Sequence, residues 1–322
     1  MNITNGAELF EKEFPPLQHV VEHMIVANTV WMLAGRPKSG KSWLLMQLAR
    51  ALDDESTWLG RKTKRPSRVL YIALEDGERR VWERLHAMDW KPKHVDFIFE
   101  LNEPLGQGGE TMFSVLKATH GYEVFILDTL RAAIGAADEN DNNAMASLMN
   151  TIATLAHHDE FTLILSHHTR KGGGNEGDSF DAIRGASAMR GSYDGGAVLK
   201  RARGERVAHL ELESRDMDVE DIVIEWFGPK SGWQLVGTRA EYQQDRIQRI
   251  RTALITEARE RTITVEDAAD IIARELNVAH TTAMAEARRM LNALAREGAL
   301  KRIENTSRKR GRPSAQYSAE RT

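Results

Sequence analysis

The chain has 322 residues, a net charge of −3 and no cysteine. That length suits one large core with a smaller appended unit, the near-neutral charge removes any global electrostatic drive toward nucleic acid, and the lack of thiols excludes disulfides, thiolate zinc sites and cysteine nucleophiles. No apolar run approaches the roughly 20 residues of a membrane-spanning helix, and the opening residues lack a signal peptide's basic and apolar regions, so a cytoplasmic protein without a membrane partner is expected.

Residues 1–29 read as a polar lead segment broken at Pro15 and Pro16. From 30 to 240, apolar strands alternate with helical stretches, the pattern of an α/β fold with a mostly parallel sheet. The expected strands are Val30–Ala34, Arg68–Leu74, Val95–Phe99, Val124–Leu127 and Thr162–Ser166, followed by Gly195–Arg201, Val207–Leu212, Ile222–Trp226 and Trp233–Val236. The last four lie too close together for helical crossovers and predict antiparallel hairpins at a sheet edge. Two segments, Arg131–Asn143 and Lys171–Ser179, are expected as loops where ligands bind in such folds. Beyond residue 240 the composition shifts to charged helices and a basic tail, so residues 241–322 form a second domain.

Gly35 to Ser42 reads Gly-Arg-Pro-Lys-Ser-Gly-Lys-Ser, fitting the phosphate-binding pattern G-x-x-x-x-G-K-[ST] at every fixed position. An apolar strand precedes it, and Trp43–Leu52 follows with helical periodicity, so a chance glycine-rich turn is the weaker reading. Gly35, Pro37, Lys38, Ser39 and Gly40 are expected to wrap phosphate with backbone N–H groups at a helix N-terminus. Lys41 would meet the β- and γ-phosphates, and Ser42 would hold Mg²⁺. Asp128 ends an apolar strand and suits the same metal. Glu75 is the expected water-activating carboxylate, with Asp76 as a solvated turn residue. His167 and His168 end a further strand without a third ligand at metal spacing. His168 could instead report the γ-phosphate.

In this order, the octet, the acidic pair, Leu127-Asp-Thr-Leu130, His167-His-x-x-Lys171 and Arg184-Gly-Ala-Ser187 resemble the RecA-type ATPases. The likeness is nearest to the hexameric replicative helicases of plasmids and phages and spans about residues 25–215. It implies a RecA-like core using ATP and Mg²⁺, with Glu75 as catalytic base, His168 as γ-phosphate sensor and Arg184 as an arginine finger offered to the neighbouring subunit. Arg190 is close enough to be a rival finger, and Ala186 departs from the family's usual serine. A homo-oligomer, a hexamer by the resemblance, moving on single-stranded DNA is the function implied, with Arg131 and Lys171 on channel loops. A DNA-binding regulator or loader that uses hydrolysis as a switch is the alternative.

In the last domain, Thr264 with Asp267 three residues on forms a capping-box pattern, and a second helix runs from His280 toward Gly298. A two-stranded ribbon follows, so the order is that of a winged helix. Between Lys301 and Arg312 stand six basic residues against the single acid Glu304. Arg308, Lys309, Arg310 and Arg312 are therefore expected to contact DNA phosphates, duplex included.

Overall fold

The computed structural model describes residues 4–136, 141–170, 178–183, 189–276, 279–303 and 315–320. The chain divides into two compact units, Met1–Arg239 and Ala240–Thr322.

The first unit is built on nine strands: β1 (Val30–Gly35), β2 (Val69–Ala73), β3 (Val95–Ile98), β4 (Val124–Asp128), β5 (Thr162–His168), β6 (Gly195–Lys200), β7 (Val207–Ser214), β8 (Ile222–Trp226) and β9 (Trp233–Thr238). They form one sheet in the order β9-β8-β7-β6-β1-β5-β4-β2-β3. The six strands from β6 to β3 run parallel to their neighbours, whereas β7, β8 and β9 join antiparallel. One expectation is corrected. The spacing groups β6 with the antiparallel hairpins, yet it pairs in parallel with β1 and antiparallel with β7, so it is the joint between the two regimes.

All six residues of β1 are buried, as befits a central strand covered on both faces. Trp31 and Leu33 point into one core with the helix α1 (Lys41–Asp54), while Val30 and Met32 point into another. Leu44, Leu45, Leu48 and Leu52 form the apolar stripe of α1. The surface helix α2 (Glu78–Ala87) adds the buried Val81 and the half-buried Leu85 to that layer. On the opposite face lie α3 (Met112–His120) and, after the short helix α4 (Leu130–Ala133), α5 (Asn142–His158). The α5 stripe is Met145, Leu148, Met149 and Ile152, and Asp141 caps its first turn by accepting from Asn143 and Ala144. The segment expected as the loop Arg131–Asn143 is therefore partly helical at both of its ends.

The second unit has its own apolar core around Leu254, Ile272, Leu291 and Tyr317. Its elements are α6 (Arg239–Glu260), β10 (Ile263–Thr264), α7 (Val265–Leu276), α8 (His280–Arg296), β11 (Lys301–Ile303) and β12 (Gln316–Ser318), with β12 central in a three-stranded antiparallel sheet. The capping box is present: Thr264 Oγ1 accepts from Asp267 N at 3.2 Å, and Asp267 Oδ2 accepts from Thr264 N at 2.7 Å. Arg308, Lys309, Arg310 and Arg312 lie outside the described residues. Among the described residues, no helix is long and apolar enough to cross a membrane.

Candidate active site

Parallel register brings the site together. Gly35 of β1 lies beside His168 of β5, and Asp128 of β4 beside Ala73 of β2, so these strands release the chain at one edge of the sheet. Beyond that edge is a cleft of about 350 Å³ lined by Lys38, Gly40, Lys41, Ser42, Glu75, Asp128, Thr129 and His168, with Trp43, Arg84, Arg201, Trp226 and Trp233.

The turn from β1 into α1 explains its glycines. Gly40 has φ +111°, a conformation open to glycine, and a Cβ there would lie 2.8 Å from the Trp233 ring. A Cβ on Gly35 would lie 2.9 Å from the Leu199 carbonyl oxygen. Lys38 also has positive φ, at 62°. Pro37 is exposed on the outer bend, whereas Ser39 is buried beneath the turn.

Lys41 is buried, and its ammonium donates to Gly35 O at 3.1 Å and Arg36 O at 3.3 Å. His168 Nδ1 lies 3.2 Å from the same nitrogen. An ammonium only donates, so Nδ1 is the acceptor, and the proton of a neutral His168 resides on Nε2. Nε2 then faces Glu75 Oε1 at 3.4 Å. His168 thus joins the lysine to the carboxylate. Burial lowers the Lys41 pKa to about 8 against the opposing pull of Asp128 and Glu75. Glu75 is lowered to about 2, chiefly by its bond from His168, with Thr129 also donating to Oε1 at 2.8 Å. Among the described residues both bonds go to Oε1, leaving Oε2 for a water molecule in the cleft.

Asp128 is buried, accepting from Ser166 Oγ at 2.6 Å and Tyr71 OH at 3.2 Å. Those neighbours fix the carboxylate while each oxygen retains a second lone pair. The buried Tyr71 hydroxyl in turn has its pKa raised, by desolvation first and by Asp128 second. Ser42 and Asp128 contribute hard oxygen donors to one cleft, a set that suits Mg²⁺ completing its shell with water and phosphate.

Asp76 corrects an expectation. It is buried, not a solvated turn residue, and Arg80 at 2.6 Å and Arg84 pair with it. Of the acidic pair, that leaves Glu75 facing the cleft. Arg190, the rival finger, is bound at 2.6 Å to Asp178, 2.7 Å to Glu213 and 3.2 Å to Asp181. Arg131, expected on a channel loop, sits in α4 and donates to Gly135 O at 2.8 Å. Arg184 and Lys171 lie outside the described residues.

Sequence reasoning gave no role to Thr129, Arg84, Arg201, Trp226 or Trp233, all of which line the cleft. Only Thr129 sat inside a motif. Arg84 is eight residues past Asp76, and Arg201, Trp226 and Trp233 are far away in sequence; none carries a spacing signal.

Comparison with known proteins agrees with this geometry. No curated protein matches the chain. Among solved structures, a KaiC-like protein from the hyperthermophilic archaeon Pyrococcus horikoshii OT3 aligns with TM-score 0.51 and 14% identity, covering 69% of this chain and 100% of that one. At that identity the likeness concerns the fold, and the fold is a RecA-like P-loop core. The AAA domain family matches residues 4–174, just over half of the chain, a span that contains the octet, Glu75, Asp128 and His168. With that match, the chain belongs to the AAA-domain family and is a P-loop ATPase.

Proposed function

We propose that this ATPase is a ring-forming motor acting on DNA, of the plasmid and phage replicative helicase type. The observation that carries the reading is the Lys41–His168–Glu75 connection at the carboxyl end of β5. A γ-phosphate drawing Lys41 away from His168 would be felt at once by the chain after β5, which leads to Lys171 and Arg184. Mg²⁺, held by Ser42 and Asp128, would neutralise charge on the phosphates. Glu75 Oε2 orients and deprotonates the attacking water, Lys41 neutralises phosphate charge, and Arg184 of a neighbouring subunit completes the site in a hexamer.

A DNA partner is supported by the helix–helix–strand order of the second unit, which suits a winged helix, and by the basic residues that the sequence carries between Lys301 and Arg312. The competing reading, a DNA-binding loader or regulator that switches on hydrolysis, is favoured by Arg131, the one Lys or Arg in the sequence of residues 131–143, whose guanidinium donates to the nearby Gly135 O. A forked duplex with a single-stranded tail separates the two. ATP-dependent strand displacement is expected of a motor; hydrolysis and binding without displacement would leave the switch.

A further inference from the structure

Of the seven tryptophans in the chain, three converge on the cleft that holds the phosphate-binding residues. Trp226 and Trp233 are direct partners across the β8–β9 pair, and Trp43 is one residue beyond Ser42 on α1. Trp226 stands 5.3 Å from Trp43 and 5.5 Å from Trp233, tilted by 58° and 59°. The rings therefore do not use up their faces by stacking on one another. A cation closes each end of the row: Arg84 lies 5.5 Å from the Trp43 ring and Arg201 4.9 Å from the Trp233 ring.

Two further observations point to a ligand. Trp233 is 1% exposed, yet its indole Nε1–H has no acceptor among the described residues. That nitrogen lies 3.4 Å from the position of a Cβ on Gly40, immediately beside the phosphate turn. A buried donor without a partner is uncommon, because leaving it unpaired is costly. Arg201 donates to Glu205 O at 2.7 Å, and no carboxylate among the described residues pairs with it.

We propose that this indole row, with Trp226 at its centre, is the seat of the nucleotide's base. Trp233 Nε1–H is the donor that a nucleotide oxygen over Gly40 satisfies. The proposal rests on the nucleotide reading of the cleft and adds to it the side chains that hold the base, since a two-ring purine covers more indole surface than a pyrimidine does.

Equilibrium titrations of the full chain with ATP, UTP and inorganic tripolyphosphate test it, with tryptophan emission as a second readout. In the unmutated protein, ATP should change the emission, and tripolyphosphate should bind while changing it far less. Trp226→Ala is expected to weaken ATP about tenfold, the scale of one lost base–aromatic stack, to narrow the gap between ATP and UTP, and to leave tripolyphosphate affinity unchanged. Trp226→Phe should restore most of the ATP affinity. If Trp226→Ala does not fold, Trp43→Ala on the helix provides the same comparison. Equal losses for ATP and tripolyphosphate would overturn the proposal by making the rings a support for the phosphate turn, and unchanged ATP affinity would overturn it directly. An unmutated protein that binds neither ATP nor tripolyphosphate would instead remove the nucleotide reading, and the base site with it.

Discussion

Lys41 has its three N–H donors directed at Gly35 O, Arg36 O and His168 Nδ1, so a phosphate can be met only by exchanging some of these bonds. Its pKa in the fold, about 8, is below the ordinary 10.5, which means that the protonated form is penalised. The penalty is fully present below about pH 8 and is relieved as pH rises toward 10.5. Phosphate charge favours the ammonium, so ATP binding is expected to take up a proton at about pH 8 and its affinity to fall as pH rises further. Calorimetry in two buffers of different ionisation heat should reveal the uptake at pH 8 and little of it at pH 6; identical heats at pH 8 would contradict it. Glu75 has the opposite sense. Its carboxylate is held near 2, so its contribution to stability is present above the ordinary 4.5 and is lost as pH falls toward 2. Glu75→Gln is expected to bind ATP nearly normally while turnover falls about 10²-fold or more, since an amide positions water but cannot take its proton. Unchanged single-turnover hydrolysis would exclude Glu75 as the base.

At the level of elements, the antiparallel edge is fastened to the phosphate-binding helix by one side chain. Gln47 of α1 donates to Trp233 O at 2.7 Å and accepts from Trp233 N at 2.8 Å, a two-point clamp between α1 and β9. A Cβ at Gly232 would lie 2.6 Å from the Gln47 amide oxygen, so the neighbouring glycine allows the approach. Gln47→Ala leaves both Trp233 backbone groups without these partners, at a cost of about 1–3 kcal/mol. In a unit of this size each kcal/mol lowers Tm by about 2–4 °C. Thermal unfolding of the variant is expected to shift by several degrees, and ATP affinity should drop as Trp233 loosens from Gly40. A variant with unaltered Tm would show that packing alone holds β9 in place.

At the scale of the whole molecule, the two units carry separate cores: the first unit's clusters end at Trp233, and the second begins at Ile250. Deleting residues 240–322 is expected to leave basal ATPase intact. Under the proposed DNA role, duplex binding should weaken and lose much of its salt dependence, because the basic ribbon supplies phosphate contacts. A salt slope that survives the deletion would assign the second unit to protein contacts. The proposed sharing of sites between subunits is tested by mixing. Arg184→Ala and Lys41→Ala are each expected to be inactive alone, since a finger contributes about 10³-fold or more. Together they should regain partial turnover through interfaces that pair an intact site with an intact arginine. Exchange of subunits without recovery would argue against a shared site completed by Arg184, and Arg190, engaged by three carboxylates of its own chain, would need release before it could substitute.

Contiguous signals were enough for much of this. The octet is one uninterrupted stretch whose geometry is local, and the nine strands announce themselves by short apolar runs. The capping box of α7 is likewise written in four neighbouring residues. What depends on register was not legible. Asp76 reads as a turn residue until the helix that starts at Glu78 forms and brings Arg80 and Arg84, one and two turns on, against it. The parallel character of β6 depends on which strand it finds, and that choice is made by burial against β1 rather than by the composition of β6. The indole row joins residue 43 to residues 226 and 233, and the Gln47 clamp spans 186 positions. Such contacts arise only when sheet order and strand register are set, because side chains distant in sequence become neighbours through the backbone that carries them.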